Sequence, residues 1–142
     1  MTIAHLIEGR NAAVFSCEAA TLVRDAIAML AERRIGALPV LAQGAVAGIF
    51  SERDVIYQLH ARGPAVLDLT VGEVMTAPAV TAAPDTDVLA ALGLMTRRRF
   101  RHLPVVRNDE MIAFVSIGDL VKYRIDRAES EAEAMRAYIQ TA

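Results

Sequence analysis

Two short patterns in this 142-residue chain carry groups that could hold a ligand: Ser51 with Asp54 in GIFSERDVI, and Ser116 with Asp119 in FVSIGDLV. In each, an apolar run ends at a serine, a carboxylate follows three residues later, and apolar residues resume. A strand therefore hands over to a helix whose first turn carries a hydroxyl and an acid. The free N–H groups and positive dipole end of such a helix favour an anion such as phosphate. A fixed carboxylate can accept hydrogen bonds from the two hydroxyls of a ribose. A nucleotide offers both groups. The same spacing is also a capping box, which starts a helix and need bind nothing; the residues alone leave both readings open.

The two patterns are copies. A shift of 65 residues carries Ser51 and Asp54 onto Ser116 and Asp119, and Leu38, Pro39 and Val40 onto Leu103, Pro104 and Val105. Between Thr21 and Ile56 the shift needs no gap, and ten of the 36 aligned pairs are identical, which identifies an internal duplication. Upstream the shift becomes 68, pairing Thr2–Ile7 with Thr70–Met75, so the first copy carries three extra residues around Gly9 to Ala13.

The elements that must position these groups follow from pattern. The first copy reads as an amphipathic turn at Thr2–Ile7, a short strand at Val14–Cys17, and a helix over Thr21–Arg34 with Thr21 as N-cap. Strands at Ala37–Leu41 and Val46–Phe50 come next, then a helix from Glu52 to Ala61 stopped by Gly63 and Pro64. The second copy repeats the order with a strand at Ala79–Ala82 and a helix over Thr86–Arg99. A hairpin, Leu103–Val106 and Met111–Val115, turns through Arg107 to Glu110, and a helix runs from Ile117 into Tyr123. The fold class is α+β, two pseudo-symmetric β-α-β-β-α units plus a C-terminal helix. The predicted organisation is repeat 1 over 1–62, a linker over 63–69, repeat 2 over 70–125 and an amphipathic helix over 126–142. Units this small bury too little surface alone, so they should share one module.

Composition excludes several classes. With a formal net charge of −2 and 54% hydrophobic residues, the chain suits a compact soluble protein. Cys17 is the only cysteine, which rules out an internal disulfide and a cysteine-based zinc site and favours a reduced, cytoplasmic setting. The uncharged run Ile35–Ser51 is interrupted by proline and glycine and is too short to span a membrane, and the N-terminus lacks the pattern of a secretory signal. His5, His60 and His102 lie in different elements without metal-ligand spacing, and no serine or cysteine sits in a nucleophile elbow. Asp54 and Asp119, as equivalent residues of a duplication, would sit in separate sites rather than form a catalytic pair. The reading is of a protein that binds and does not catalyse. The basic run Arg97, Arg98, Arg99 and Arg101 is a solvated helix end or a phosphate clamp; nucleic acid is disfavoured by the overall negative charge.

GIFSERDV and FVSIGDLV, each preceded by an LPV strand, with EVMT opening the second unit, resemble a tandem pair of cystathionine-β-synthase (CBS) domains standing alone. The resemblance runs from Thr2 to about Ile125, with Ala113 a departure where the first copy has Gly48. It implies a regulatory module that takes adenosine-containing ligands such as AMP, ATP, NAD or S-adenosylmethionine in clefts between the repeats, without a catalytic cofactor, and regulates an unidentified protein. Carried over by motif position, Asp54 and Asp119 would hold ribose hydroxyls, and Ser51 and Ser116 would bond phosphate or ribose. Phe15 with Ser16, and Val80 with Thr81, would flank the adenine. Arg101 and His102 match positions that reach phosphates, whereas their counterparts Gly36 and Ala37 cannot; Arg53 and Pro104 complete the implied set. A dimerisation scaffold with vestigial sites is the alternative.

Beyond the repeats, RIDRAESEAEAMRAYIQ is rich in helix formers, and Ile125, Ala128, Ala132, Met135 and Ile139 form a narrow apolar seam at spacings of 3, 4, 3 and 4. Two heptads with two alanines are too weak for a free-standing coiled coil. Because CBS pairs resemble one another in dimerising through helices, the tail is expected to pack across the two-fold contact of a homodimer rather than fold back on its own subunit.

Overall fold

The computed structural model describes residues 1–10 and 14–141. Of the extra segment around Gly9 to Ala13, positions 11–13 lie outside them. The duplication is plainest in the hairpins. β2 (Ala37–Ala42) and β3 (Ala45–Ser51) are antiparallel about Gln43–Gly44, and β4 (His102–Arg107) and β5 (Glu110–Ser116) about Asn108–Asp109. Both central residues of each turn have positive φ, the conformation of a two-residue hairpin turn whose twist matches its strands and which Gly, Asn and Asp accept. Each ladder slips by one residue, at Val40/Leu41 and at the equivalent Val105/Val106. The LPV residues Leu38, Val40, Leu103 and Val105 are wholly buried.

The strands expected upstream of the helices are shorter than their sequences suggest. β1 is only Cys17–Glu18, parallel to β2, and the segment Ala79–Ala82 is no strand but a single bridge from Ala82 to Val105. Both segments meet the hairpin edge beside its bulge, where twist increases, and then leave it. The long helices α2 (Val23–Arg33) and α5 (Val88–Arg98) start later than expected. Thr21 does not cap α2; its Oγ1 accepts the Glu18 N–H, while Asp87 caps α5 by accepting the Ala90 N–H. Each helix buries an i, i+3, i+7 stripe, Val23, Ala26 and Leu30 in one and Val88, Ala91 and Met95 in the other.

α3 (Glu52–Arg62) ends at Gly63, and a 3₁₀ turn over Gly63–Asp68 folds back to bury Val66. The final helix α6 runs unbroken over Ile117–Thr141, so the boundary drawn at 125/126 falls inside it.

The short helices α1 (Ile3–Ile7) and α4 (Val71–Val74) are exchanged between the repeats. Ile3 and Leu6 sit in the core built from α5, β4 and β5, whereas Val71 and Val74 sit in the core built from α2, β2 and β3. The backbone bonds match: Ile3 N–H donates to Thr86 O and Ala4 N–H to Pro84 O, while Val71 N–H donates to Thr21 O and Gly72 N–H to Ala19 O.

The exchange also accounts for glycine at position 48 where the second repeat has Ala113. After α4 the chain crosses β3, and Thr76 and Ile49 exchange both backbone hydrogen bonds. A Cβ on Gly48 would stand 2.6 Å from the Thr76 carbonyl oxygen. Gly48→Ala should therefore destabilise the fold by about 1–3 kcal/mol, as overpacking against backbone does, whereas Ala113→Gly should stay within about 1 kcal/mol. Urea denaturation of the two variants distinguishes these outcomes.

Candidate functional site

Two clefts open where the repeats meet, and each is built from both. The first, of about 740 Å³, holds Ser51, Arg53 and Asp54 from repeat 1 against Val80, Arg101 and His102 from repeat 2. The second, of about 700 Å³, holds Ser116 and Asp119 from repeat 2 against Phe15 and Ala37 from repeat 1. Both volumes are in the range of small-molecule sites.

Both serine–aspartate pairs make the capping geometry. Ser51 N–H and Oγ donate to Asp54 Oδ2 at 2.9 and 3.1 Å, and Ser116 N–H donates to Asp119 Oδ2 at 2.9 Å. Asp119 N–H in turn donates to Ser116 Oγ at 3.1 Å. The cap uses one carboxylate oxygen of each aspartate. The other meets a different group: Thr76 Oγ1 donates to Asp54 Oδ1 at 2.9 Å, and the Arg10 guanidinium lies 3.5 Å from Asp119 Oδ1.

The clefts differ in charge. Arg98 and Arg99 join Arg53 and Arg101 in the first, with Glu52 the acidic neighbour beside Asp54. The second carries Arg10 and Arg107 with Glu8 and Asp119. His102 stands in the wall of both, its ring stacked on Phe114 at 5.4 Å between centroids. Burial pushes its imidazole below the ordinary 6.5, with Asp119 pulling the other way and Arg101 adding to the depression. At neutral pH it offers a donor and an acceptor rather than a charge. Over Phe15 lies the guanidinium of Arg33, 3.5 Å from the ring centroid. Cys17 belongs to the core, where burial, reinforced by Glu18, pushes its thiol up to about 11. Among the described residues no three His, Cys, Asp or Glu side chains gather into a metal-holding group, and no helix is long and apolar enough to cross a membrane.

Family comparison bears on this arrangement directly. The description "CBS domain" matches the chain twice, at residues 11–61 and 71–126. The chain belongs to the CBS-domain family. It is 37% identical over 129 residues to the mitochondrial CBS domain-containing protein CBSX3 of Arabidopsis thaliana, covering 87% of this chain and 63% of that protein. The chain thus spans less than two thirds of that relative's length. Among solved structures it resembles the CBS-domain containing protein ATU1752 of Agrobacterium tumefaciens, with TM-score 0.81 and 31% identity over 87% of this chain and 99% of that one. It also shares the fold of CBSX2 in complex with AMP, with TM-score 0.75 and 23% identity over 89% and 98% of the two chains.

The CBS-pair architecture accounts for how the sequence-derived residues are distributed. Ser51, Arg53, Asp54, Val80 and Arg101 share the first cleft; Ser116, Asp119 and Phe15 share the second; His102 belongs to both. Thr81 is exposed and Pro104 is buried in β4, and neither they nor Ser16 line a cleft. Arg101 therefore faces the aspartate of the opposite repeat, not the one that follows it in sequence. Arg10, Thr76 and Phe114 escaped the sequence reading. Thr76 ends the EVMT stretch, but nothing local shows that it reaches Asp54 across 22 residues.

Since the folded-state value of His102 lies below 6.5, the folded protein binds fewer protons than the unfolded chain just under that pH. The contribution of this ring to stability should be complete above pH 6.5 and decline as the pH falls through that value toward the folded one. A histidine NMR titration should place its midpoint below 6.5, and Asp119→Asn, which removes the carboxylate pulling it upward, should lower the midpoint further. A midpoint at or above 6.5 would show that the carboxylates of Asp119 and Glu52 outweigh burial.

Proposed function

We propose that this CBS pair is a regulatory module that binds an adenosine-containing nucleotide of the AMP, ATP or NAD type, with the first cleft as the principal phosphate-bearing site. The observation that carries the reading is the meeting, in that cleft, of a carboxylate at a helix N-terminus with arginines from the opposite repeat. Asp54 accepts ribose hydroxyls through Oδ1, in exchange for the Thr76 hydroxyl that it now holds. Arg101, with Arg98 and Arg99 beside it, receives the phosphates through forked donors. Val80 supplies an apolar surface for the base. The AMP held by CBSX2, which shares this fold, supports the ligand class. Ligand occupancy bridges the two repeats, and that is how it would alter the surface offered to a regulated protein.

The second cleft favours a less charged adenosine compound. Arg10 already engages Asp119, and the stacked rings of Phe114 and His102 stand in the wall with Phe15. A dimerisation scaffold with vestigial sites is the competing outcome.

Calorimetric titration with AMP, ATP, NAD and adenosine decides between them. Asp54→Asn should weaken AMP binding by about 1.5–3 kcal/mol, the scale of hydrogen bonds to a charged group, while lowering stability by only about 0.3–1 kcal/mol through the lost first-turn charge. Arg101→Ala should lower affinity for AMP and ATP and leave adenosine nearly unchanged. Absence of binding for all four compounds would leave the scaffold reading standing, and equal loss for adenosine and AMP would remove Arg101 from the phosphate site.

A further inference from the structure

α6 leaves its own module. Leu120 is fully buried and Tyr123 packs against the second core, but every described residue from Ile125 to Thr141 is exposed, so the tail does not fold back on its subunit. At 1.5 Å per residue this bare stretch is about 25 Å long, and a helix of this length is marginal in water unless something covers its apolar face. Because α6 is unbroken, the seam gains a step at its base: Val121, Ile125, Ala128, Ala132, Met135 and Ile139 recur at spacings of 4, 3, 4, 3 and 4. Val121, Ile125, Met135 and Ile139 are 42, 51, 60 and 66% exposed. Ile56 on α3, the duplicate of Val121, is exposed as well and widens the apolar surface where the tail departs.

The charges flanking the seam say what covers it. With Ile125, Ala132 and Ile139 at heptad position a and Val121, Ala128 and Met135 at d, Lys122, Glu129 and Arg136 fall at e, and Arg124, Glu131 and Tyr138 at g. In a parallel pair each g residue faces the e residue five positions on in the other helix. Arg124 then meets the partner's Glu129, and Glu131 meets the partner's Arg136, and symmetry makes each of these pairs twice. An antiparallel pair centred on the two alanines matches e with e and g with g. That sets Glu129 against its own counterpart, Glu131 likewise, and Lys122 against Arg136. One arrangement is attractive at every charged contact and the other repulsive at every one. Among the described residues Glu131 has the exposed Arg127, at 3.8 Å, as its ion-pair partner along the same helix.

From this pattern we infer that the tail is the docking surface for a second copy of this chain, the two α6 helices pairing parallel and in register through the Val121–Ile139 seam. The alanines at the centre let the backbones approach closely, the isoleucines at a suit two strands, and the modules lie side by side at one end, where Ile56 and Val121 extend the contact. The inference stands apart from nucleotide binding, since none of these residues lines either cleft except Ile56 at the rim of the first.

The test uses the full chain in light scattering and sedimentation, with thermal unfolding as a check that each variant folds. The unaltered protein should be a dimer at micromolar concentration. Arg136→Glu should raise the dimer dissociation constant about tenfold, the combined effect of two exposed pairs turned repulsive, and Glu131→Arg added to it should restore the original value. Ala132→Cys should form a disulfide-linked dimer under mild oxidation, because a residue at position a of a parallel pair faces its own copy; the unaltered protein, with Cys17 buried, should not. Tighter association of the Arg136→Glu variant would show antiparallel helices and overturn the inference. So would a full-length monomer, which leaves the seam to a different protein, or a dimer indifferent to all three substitutions, which places the contact on other helices.

Discussion

The exchange of α1 and α4 between the repeats is the constraint from which the rest of the structure follows. Neither half closes its own core: Ile3 and Leu6 complete the core of the second repeat, Val71 and Val74 that of the first. A half of about 65 residues would expose the apolar pocket that its partner's helix fills, and at that size the lost burial is a large share of what holds a domain together. The repeats are thus obliged to fold as one body. The clefts are a consequence, since they lie along the seam that the crossing segments define.

Those same crossing segments furnish the clefts. Leaving α4, the chain pairs Thr76 with Ile49 and sets the threonine hydroxyl on Asp54; leaving α1, it brings Arg10 to Asp119. Equivalent aspartates therefore face a neutral donor in one cleft and a cation in the other. The difference is reinforced by Arg101, a cation in the wall of the first cleft whose equivalent, Gly36, supplies no charge to either. One fold, written twice, offers two sites of unequal charge, and His102 is the wall they share.

Local order was largely legible in the sequence. The second hairpin announced itself through Arg107 to Glu110 between apolar runs, its copy through the two strands either side of Gln43 and Gly44, and the helices α2 and α5 through apolar residues at helical spacing, because all these signals depend on residues close in the chain. The edges were less so: Thr21 looks like an N-cap, yet its hydroxyl serves the Glu18 N–H, and whether Ala79–Ala82 becomes a strand depends on a hairpin twenty residues away. The exchange itself left no local trace, since an amphipathic Ile3–Ile7 fits either core equally well. For that reason the sequence showed that Ser51, Asp54, Ser116 and Asp119 are equivalent, and that Arg101 and His102 have no basic counterparts, but not that Arg101 lies with Asp54. Thr76 and Arg10 were invisible for the same reason: each reaches its aspartate only through the crossing.

The capping and ligand readings of the serine–aspartate pairs, which sequence presents as alternatives, are compatible in space. A carboxylate has two oxygens. Oδ2 of each aspartate accepts from the serine that starts the helix, and this fixes the side-chain rotamer; Oδ1 is thereby held toward the cleft, where Thr76 or Arg10 finds it. A carboxylate fixed in this way loses less rotamer freedom when it takes a hydroxyl from solution, so the cap lowers the entropic cost of recognition. On the proposed reading a ligand would displace Thr76 from one aspartate and Arg10 from the other, and the two are not equal. Both contacts involve an ionised carboxylate, but a ligand hydroxyl would replace the Thr76 hydroxyl in kind, whereas at Asp119 it would have to part a half-exposed ion pair. On the proposed nucleotide reading the cleft of Asp54 would be the easier of the two to fill, and it is also the one lined by four arginines.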